Sequence, residues 1–367
     1  MLLKKAESKN MEGQKNIFED VVEDVIKRTL SLRFDICRCD ICRKSMLEIV
    51  LSKLPKFFIN TNQFKYQDIV NYVRNRYFKK IMEETAAAIN YVSKNPPHKT
   101  DTNREKDFKQ LLERIYQDRG LDFRRYHQSI LKRRVALRLR ENNKDSYLEY
   151  LKILAHNPDE YEKLFDVLTI NVSEFFRDKP VWEDIRKVLN RVIADDKYGT
   201  RVKIWSAGCA KGEEPYSLAI LAEEIGCGKR VEVYATDIDN GSLTEAREGI
   251  YDVRRVRNVP DNILKKYFDF DGHGNYVLKD FIKKKVIFKK HDLINDFPLP
   301  ETNIVVCRNV FIYFTKPLQE TILNKFYTSL KNGGYLIIGK AETILTEARL
   351  IFENFDTDNR IYRKKKI

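Results

Sequence analysis

The segment IWSAGCAKGEEPYSLAI, residues 204–220, constrains this chain more than any other stretch. An apolar run enters a turn that holds Gly208 and Gly212, and a helical pattern opens directly after it. Strand, glycine turn and helix in that order mark the nucleotide-binding crevice at the carboxyl ends of a parallel sheet, where a missing β-carbon lets backbone approach a ligand. Glu213 and Glu214 open the helix, where carboxylates complement the helix dipole. They would also repel a phosphate, which disfavours a dinucleotide or P-loop turn and favours a cationic or uncharged ligand.

The rest of the C-terminal half agrees with this start. RVKIWSAG, VEVYATD, KVIFKKHD, NIVVCRNV and GYLIIG are short apolar runs separated by helical segments, the pattern of an α/β doubly wound, mainly parallel sheet. NRIYRKK near the end could add an edge strand, and the Gly- and aromatic-rich residues 267–284 read as a small β insertion. The second strand ends in ATDID, so Asp237 or Asp239 could accept hydrogen bonds from ribose hydroxyls; Asp239 could equally cap the helix that follows. An acid there, an acidic first turn and no phosphate cradle together favour S-adenosylmethionine over NAD.

Upstream the periods are helical. Phe18, Val21, Val22, Val25 and Ile26, then Ile69, Val70, Val73 and Tyr77, predict an all-helical unit over residues 1–92. SKNPPHKTDTNREKD predicts a linker over 93–106, because a proline disfavours helix at the residue before it. A helical subdomain is expected over 107–180 and the sheet domain over 181–367. No run approaches a membrane-spanning length and no secretory signal is visible, so a cytosolic protein with reduced cysteines is expected.

The net charge of +14 points to an anionic partner without choosing one. Part of it is concentrated in residues 123–140, which hold seven Lys or Arg and no acid. On a helix Leu131, Val135 and Leu139 form one apolar ridge, with Arg134 and Arg138 on another and Arg133 and Arg140 on a third, so the cations are expected to face out. Only Phe123 and Tyr126 could stack on bases, which disfavours RNA.

Four blocks, TINVSEFFRD at 169–178, SAGCAKGEEPYSLAI at 206–220, ATDID at 235–239 and CRNVFIYF at 307–314, together resemble the chemotaxis receptor methyltransferases, the CheR family, over about residues 107–365. The resemblance implies a Rossmann-like methyltransferase sheet and S-adenosylmethionine-dependent O-methylation of glutamate side chains on chemoreceptors, giving methyl esters and S-adenosylhomocysteine. It implies cofactor contacts at Asn171, Ser173, Arg177, Gly208, Gly212, Glu214, Asp237, Asp292, Leu293, Arg308 and Asn309. Tyr313 would sit beside the transferred methyl, Arg177 would bind the cofactor's carboxylate or orient the substrate, and Arg134, Arg138 and Arg140 would dock on the acidic methylation region of the receptor. Two positions depart from the family: Ser173 replaces the usual Thr, and Lys211 replaces a small hydroxyl residue. Pointing inward, Lys211 would oppose a sulfonium ligand.

The chemistry asks for no histidine base, since a glutamate carboxylate of pKa about 4.3 is ionised at neutral pH. His291 therefore reads as structural.

The N-terminal unit holds Cys37, Cys39 and Cys42 as C-x-C-x2-C, dense enough for zinc but one ligand short of its usual four. Asp35, Asp40, His98 or a partner subunit could complete it. The cluster, its following helix and L-x-x-LP at Leu51–Pro55 resemble the late-competence ComFB family over about residues 15–90, which implies zinc binding, cyclic di-GMP sensing or dimerisation. Ser45, Ser52 and Lys56 replace that family's usual Asp, Asn and second Pro. A catalytically silent module that binds S-adenosylmethionine or cyclic di-GMP and docks on receptors is the alternative. A nucleic-acid methyltransferase is disfavoured by the missing N/D-P-P-Y/F motif.

Overall fold

The computed structural model describes residues 14–31, 36–37, 39–56, 58–60, 66–97, 102–169, 173–195, 199, 201–344 and 347–365. It divides into two compact units, residues 1–114 with 132–152, and residues 115–131 with 153–367.

The first unit opens with strand β1 (Gln14–Asn16), which pairs antiparallel with β2 (Phe58–Asn60). This two-stranded ribbon is absent from the all-helical expectation, because three-residue strands carry no readable period. The helices are α1 (Ile17–Ser31), α2 (Asp40–Ser52) and α3 (Tyr66–Lys94). Their apolar faces meet in one core: Phe18, Val21, Val22 and Ile26 of α1, Cys42, Met46 and Val50 of α2, and Val70, Val73 and Ile81 of α3. The spacing is i, i+3, i+4, i+8 in α1 and i, i+4, i+8 in α2, the stripe that buries one side of a helix.

Helix α4 (Thr102–Arg119) follows, so helices enter the expected linker from both sides. After a 3-10 turn at Phe123–Arg125 come α5 (Gln128–Glu141), α6 (Tyr147–His156), α7 (Pro158–Leu168) and α8 (Lys179–Asp195). Asn157 caps α7 by accepting from the Glu160 amide at 3.1 Å, and Pro158 occupies the first turn, where its missing N–H costs nothing.

The sheet strands of the second unit are β3 (Val202–Ala207) and β4 (Val231–Asp237), separated by α9 (Glu213–Glu224). Helix α10 (Asn240–Glu248) leads to β5 (Ile250–Asp252), α11 (Val253–Val256) and α12 (Asp261–Tyr267). Next come β6 (Phe268–Phe270), β7 (Asn275–Leu278), α13 (Asp280–Lys283), β8 (Val286–Lys290) and β9 (Thr302–Cys307). Helix α14 (Lys316–Ser329), β10 (Leu330–Ile338), β11 (Phe352–Asp356) and β12 (Ile361–Lys364) complete the chain.

Seven strands form one sheet in the order β11-β12-β10-β9-β3-β4-β8, with β10-β9-β3-β4-β8 parallel and β12 and β11 antiparallel. The NRIYRKK strand is therefore flanked on both sides, and the edge belongs to β11, whose polar FENFD hides it in the sequence. The insertion is a hairpin of β6 and β7 joined by β5 into a three-stranded sheet.

Alternation along the central strands divides the core. Ile204, Val233, Val306 and Ile337 face one layer with α8 and α9, while Trp205, Val305 and Leu336 face the other with α14. Each fully buried aliphatic contributes roughly 1.5 to 3 kcal/mol, and a one-residue slip would exchange the two faces, so register is tightly set.

Candidate functional site

The chain runs from β3 outward to β4 on one side and returns to β9 on the other, which makes the carboxyl ends of β3, β4 and β9 a topological switch point. A cleft opens there.

Its floor is the glycine turn. Gly208 has φ +79°, and a β-carbon on it would lie 2.6 Å from Val310 Cγ2. Gly208 is needed because the β9 loop crosses it. The turn's amides are already used: Gly208 N and Cys209 N donate to Thr236 O at 2.8 and 2.9 Å, Ala210 N donates to Asp237 Oδ2 at 2.8 Å, and Gly212 N donates to Cys209 O at 3.0 Å. These four amides leave no cradle for a phosphate. Gly212 does not line the cleft: with φ +92° it caps α9, and a β-carbon there would meet Ala246, Tyr251 and Phe288 at 3.0 to 3.2 Å.

Of the two carboxylates opening α9, only Glu214 lines the cleft. It accepts from Ser206 Oγ at 2.8 Å and lies 3.5 Å from Arg308 Nη1; burial pushes its pKa up, and Arg308 pulls the other way. Arg308 also donates to Asp178 Oδ2 at 2.7 Å and to the Arg177 carbonyl at 3.0 Å. Glu213 turns from the cleft to Arg255, at 2.6 Å.

Asp237 ends β4, is only 9% exposed, and accepts from the Ala210 and Asp239 amides. Burial pushes its pKa up to about 6 despite those bonds. Asp239 takes its capping role, accepting from Gly241 N at 2.8 Å and Ser242 N at 3.2 Å. Lys211 points away from the cleft and pairs with Glu245 of α10 at 2.6 Å.

Ser173, Arg177, Asp292, Leu293, Arg308, Asn309 and Tyr313 all line the same cleft; Asn171 lies outside the described residues. Asn309 has φ +62°, and Phe176, Asp178 and Ala210 close by also have positive φ, at +49°, +58° and +47°. Such backbone costs about 1 to 3 kcal/mol each and gathers at functional sites. Among the lining residues Glu174, Glu214, Asp237 and Asp292 stand against Arg177 and Arg308, so carboxylates predominate.

Sequence reasoning missed two groups. Phe123 and Tyr126, taken as part of the basic stretch, form a cleft wall with Phe314; Tyr126 is edge-on to Phe314 at 5.0 Å and to Phe123 at 5.1 Å. Glu342, buried beyond β10, accepts from the Asn309 amide at 3.1 Å and the Ile312 amide at 3.3 Å, fixing the turn that presents Asn309. Only the alternation of Tyr126 with cations hinted at the first. A lone acid after the last apolar strand gave no signal for the second.

The arginine ridge needs correcting. Arg138 is buried, Arg134 is half-buried and Arg140 is exposed. Position 138 follows Leu131 and Val135 at i+7 and i+3, so it shares their buried face and its aliphatic stem is covered while its head pairs with Glu141.

In the first unit the sulfurs of Cys37, Cys39 and Cys42 lie within 4.8 Å of one another. Cys39 Sγ caps α2 by accepting from the Cys42 amide at 3.4 Å. Burial, then Cys37 and Cys39 beside it, pushes the Cys42 thiol up to about 12. Asp40 pairs with Arg43, while Asp35 and His98 lie outside the described residues. Among the described residues no helix is long and apolar enough to cross a membrane.

Comparison with known families adds three matches. Residues 171–361 match the CheR methyltransferase SAM-binding domain, 106–169 the CheR methyltransferase all-alpha domain, and 15–96 the late competence development protein ComFB. The methyltransferase Cher3 of Pseudomonas putida is 34% identical over 274 residues, covering 72% of this chain and 99% of its own length. The chemotaxis protein methyltransferase of Listeria innocua is 32% identical over 244 residues, covering 66% of this chain and 92% of its own. That of Borreliella burgdorferi is 31% identical over 249 residues, covering 65% and 88%.

Proposed function

Because this chain belongs to the CheR methyltransferase family and is an S-adenosylmethionine-dependent methyltransferase of the chemotaxis type, we propose that it esterifies glutamate side chains on a chemoreceptor cytoplasmic domain. The observation that carries this reading is the glycine turn with its amides spent on Thr236 and Asp237, opening on a cleft richer in carboxylate than in guanidinium. Such a site disfavours a phosphate and suits a ligand with a cationic sulfur.

Bound there, S-adenosylmethionine supplies a methyl group on a sulfonium that a carboxylate oxygen can take, leaving a methyl ester and S-adenosylhomocysteine. The residues supply position and charge. Asp237 would accept from a ribose hydroxyl, since a carboxylate offers about four acceptor sites and the Ala210, Asp239 and Ile238 amides take three. Asp292, Leu293, Ser173 and Asn309 complete the pocket. Arg177 would pair a carboxylate of the bound donor or of the substrate, and Tyr313, which lines the same cleft, would border the methyl group to be transferred. The substrate glutamate needs no general base, and holding it in attack geometry is worth roughly 7 to 11 kcal/mol. Arg140, with Arg134, is the docking surface for the acidic receptor helices.

The silent-module alternative rested on Lys211. Its pairing with Glu245, off the cleft lining, removes the opposing charge from the ligand and favours an active enzyme.

For the first unit the reading is a zinc ion held by Cys37, Cys39 and Cys42, which the approach of three sulfurs supports. Such an ion would tie the start of α2 to the preceding loop.

The test is incubation of the purified chain with methyl-labelled donor and receptor fragments. Label should appear on receptor glutamates as a base-labile ester. Label in a base-stable linkage, or none on any receptor, would refute the proposal.

A further inference from the structure

Between β8 and β9 the chain forms a tight loop, residues 291–297, that carries Asp292 and Leu293 to the cleft. The loop is wound on itself. Asp292 Oδ1 accepts from the Ile294 amide at 2.7 Å and Oδ2 from the Asn295 side chain at 2.8 Å, while the Asp292 amide donates to Asp296 Oδ2 at 2.9 Å. The Asp296 amide returns to the Asp292 carbonyl, also at 2.9 Å. Its base is tied to the sheet, since His291 N donates to Asp237 O at 2.9 Å.

This winding turns three carbonyls toward one point, and Lys325 of α14 reaches it. Its Nζ donates to Leu293 O at 3.1 Å, Ile294 O at 2.7 Å and Asp296 O at 2.8 Å. An ammonium has three donors, so each is used. Helix α14 does not need these bonds for its own packing, because Leu318, Ile322, Leu323 and Phe326 already bury its apolar face. The loop gains most from them: converging carbonyl dipoles repel one another, and the ammonium meets all three at once, two of the bonds being partly buried. Burial lowers the lysine pKa, and the Asp292 and Asp296 carboxylates counter it.

We propose that Lys325 is a positioning residue, a built-in monovalent cation whose ammonium holds loop 291–297 in its donor-binding shape, so that donor affinity depends on a side chain outside the cleft. The inference rests on the reading of the cleft as the methyl donor's site.

It is tested in the full chain with Lys325→Met, which keeps the stem and removes the donors, and Lys325→Ala, which also leaves a space. S-adenosylhomocysteine binding is measured by calorimetry, and amide exchange of residues 291–297 by mass spectrometry. Both variants should bind on the order of tenfold more weakly and exchange faster in the loop, the scale of one lost charged hydrogen bond. Ammonium or potassium ions should restore Lys325→Ala on both readouts, because an ion can enter the space, and should leave Lys325→Met unchanged. Wild-type affinity in Lys325→Met, or a loss in Lys325→Ala that neither ion reverses, would overturn the proposal and leave Lys325 a packing residue. A wild-type chain that binds no S-adenosylhomocysteine would instead remove the reading of the cleft, and the role of Lys325 with it.

Discussion

Replacing Gly208 by Ala separates two costs that the structure places at one atom. The residue sits at φ +79°, where a side chain costs about 1 to 2 kcal/mol in any surroundings. Its new β-carbon would also lie 2.6 Å from Val310 Cγ2, and relieving such overpacking costs typically about 1 to 3 kcal/mol. Gly226 is the control, with φ +76° and nothing within 4 Å of its would-be β-carbon. Gly226→Ala should therefore lose about 1 to 2 kcal/mol, and Gly208→Ala roughly 2 to 5. The difference belongs to one contact, so Val310→Ala should rescue Gly208→Ala and leave Gly226→Ala alone, a coupling a double-mutant cycle reads directly. Denaturant unfolding followed by tryptophan fluorescence is the assay, since the two tryptophans, Trp182 and Trp205, are both buried in the second unit. Only the Gly208 change should also weaken donor binding, because Val310 lines the cleft. Equal losses for the two glycines, or no rescue by Val310→Ala, would refute the steric argument.

Three further outcomes are expected. Burial pushes Asp237 up to about 6, so the carboxylate is ionised above that pH and takes a proton as pH falls through it. Donor affinity should fall by up to about tenfold per unit below that point, and calorimetry should find Asp237→Asn weak and nearly pH-independent; a flat wild-type profile between about pH 5 and 7 would exclude the carboxylate from binding. Arg134→Glu with Arg140→Glu should abolish receptor methylation at unchanged donor affinity, whereas Arg138→Glu, which strips a covered stem and sets its carboxylate beside Glu141, should lower the melting temperature. Unimpaired methylation by the double variant would end the docking role. The full chain should carry one zinc per chain or per subunit pair and lose helicity or its oligomeric state on chelation, with Cys42→Ser lacking the metal; a well-folded, zinc-free chain indifferent to added zinc and chelator would make the three cysteines ordinary turn residues.

The sheet was legible because its strands are β-branched runs buried on both faces, and the glycine turn because few residues tolerate its backbone. Asp237 ends a strand, Gly208 and Asn309 lie just past strand ends, and Glu214 opens the helix after the first of them, so sequence order and spatial order coincide there. What was hidden depends on contacts distant in sequence. Glu342 reaches Asn309 across the switch point, and Lys325 reaches a loop some thirty residues back, and neither leaves a local pattern. The arginine ridge misled because a helical wheel cannot say how wide the buried stripe is: Arg138 falls beside Leu139 and is covered with it. The short strands β1, β2 and β11 escaped because three to five residues are too few to show a period.

The spent amides of the glycine turn also bear on ancestry. To become a phosphate binder this turn would have to release Gly208 N, Cys209 N and Ala210 N from Thr236 and Asp237 together, and each released alone would be a buried donor without an acceptor. No single codon change achieves that, because two of the three amides answer to a backbone carbonyl that no substitution deletes.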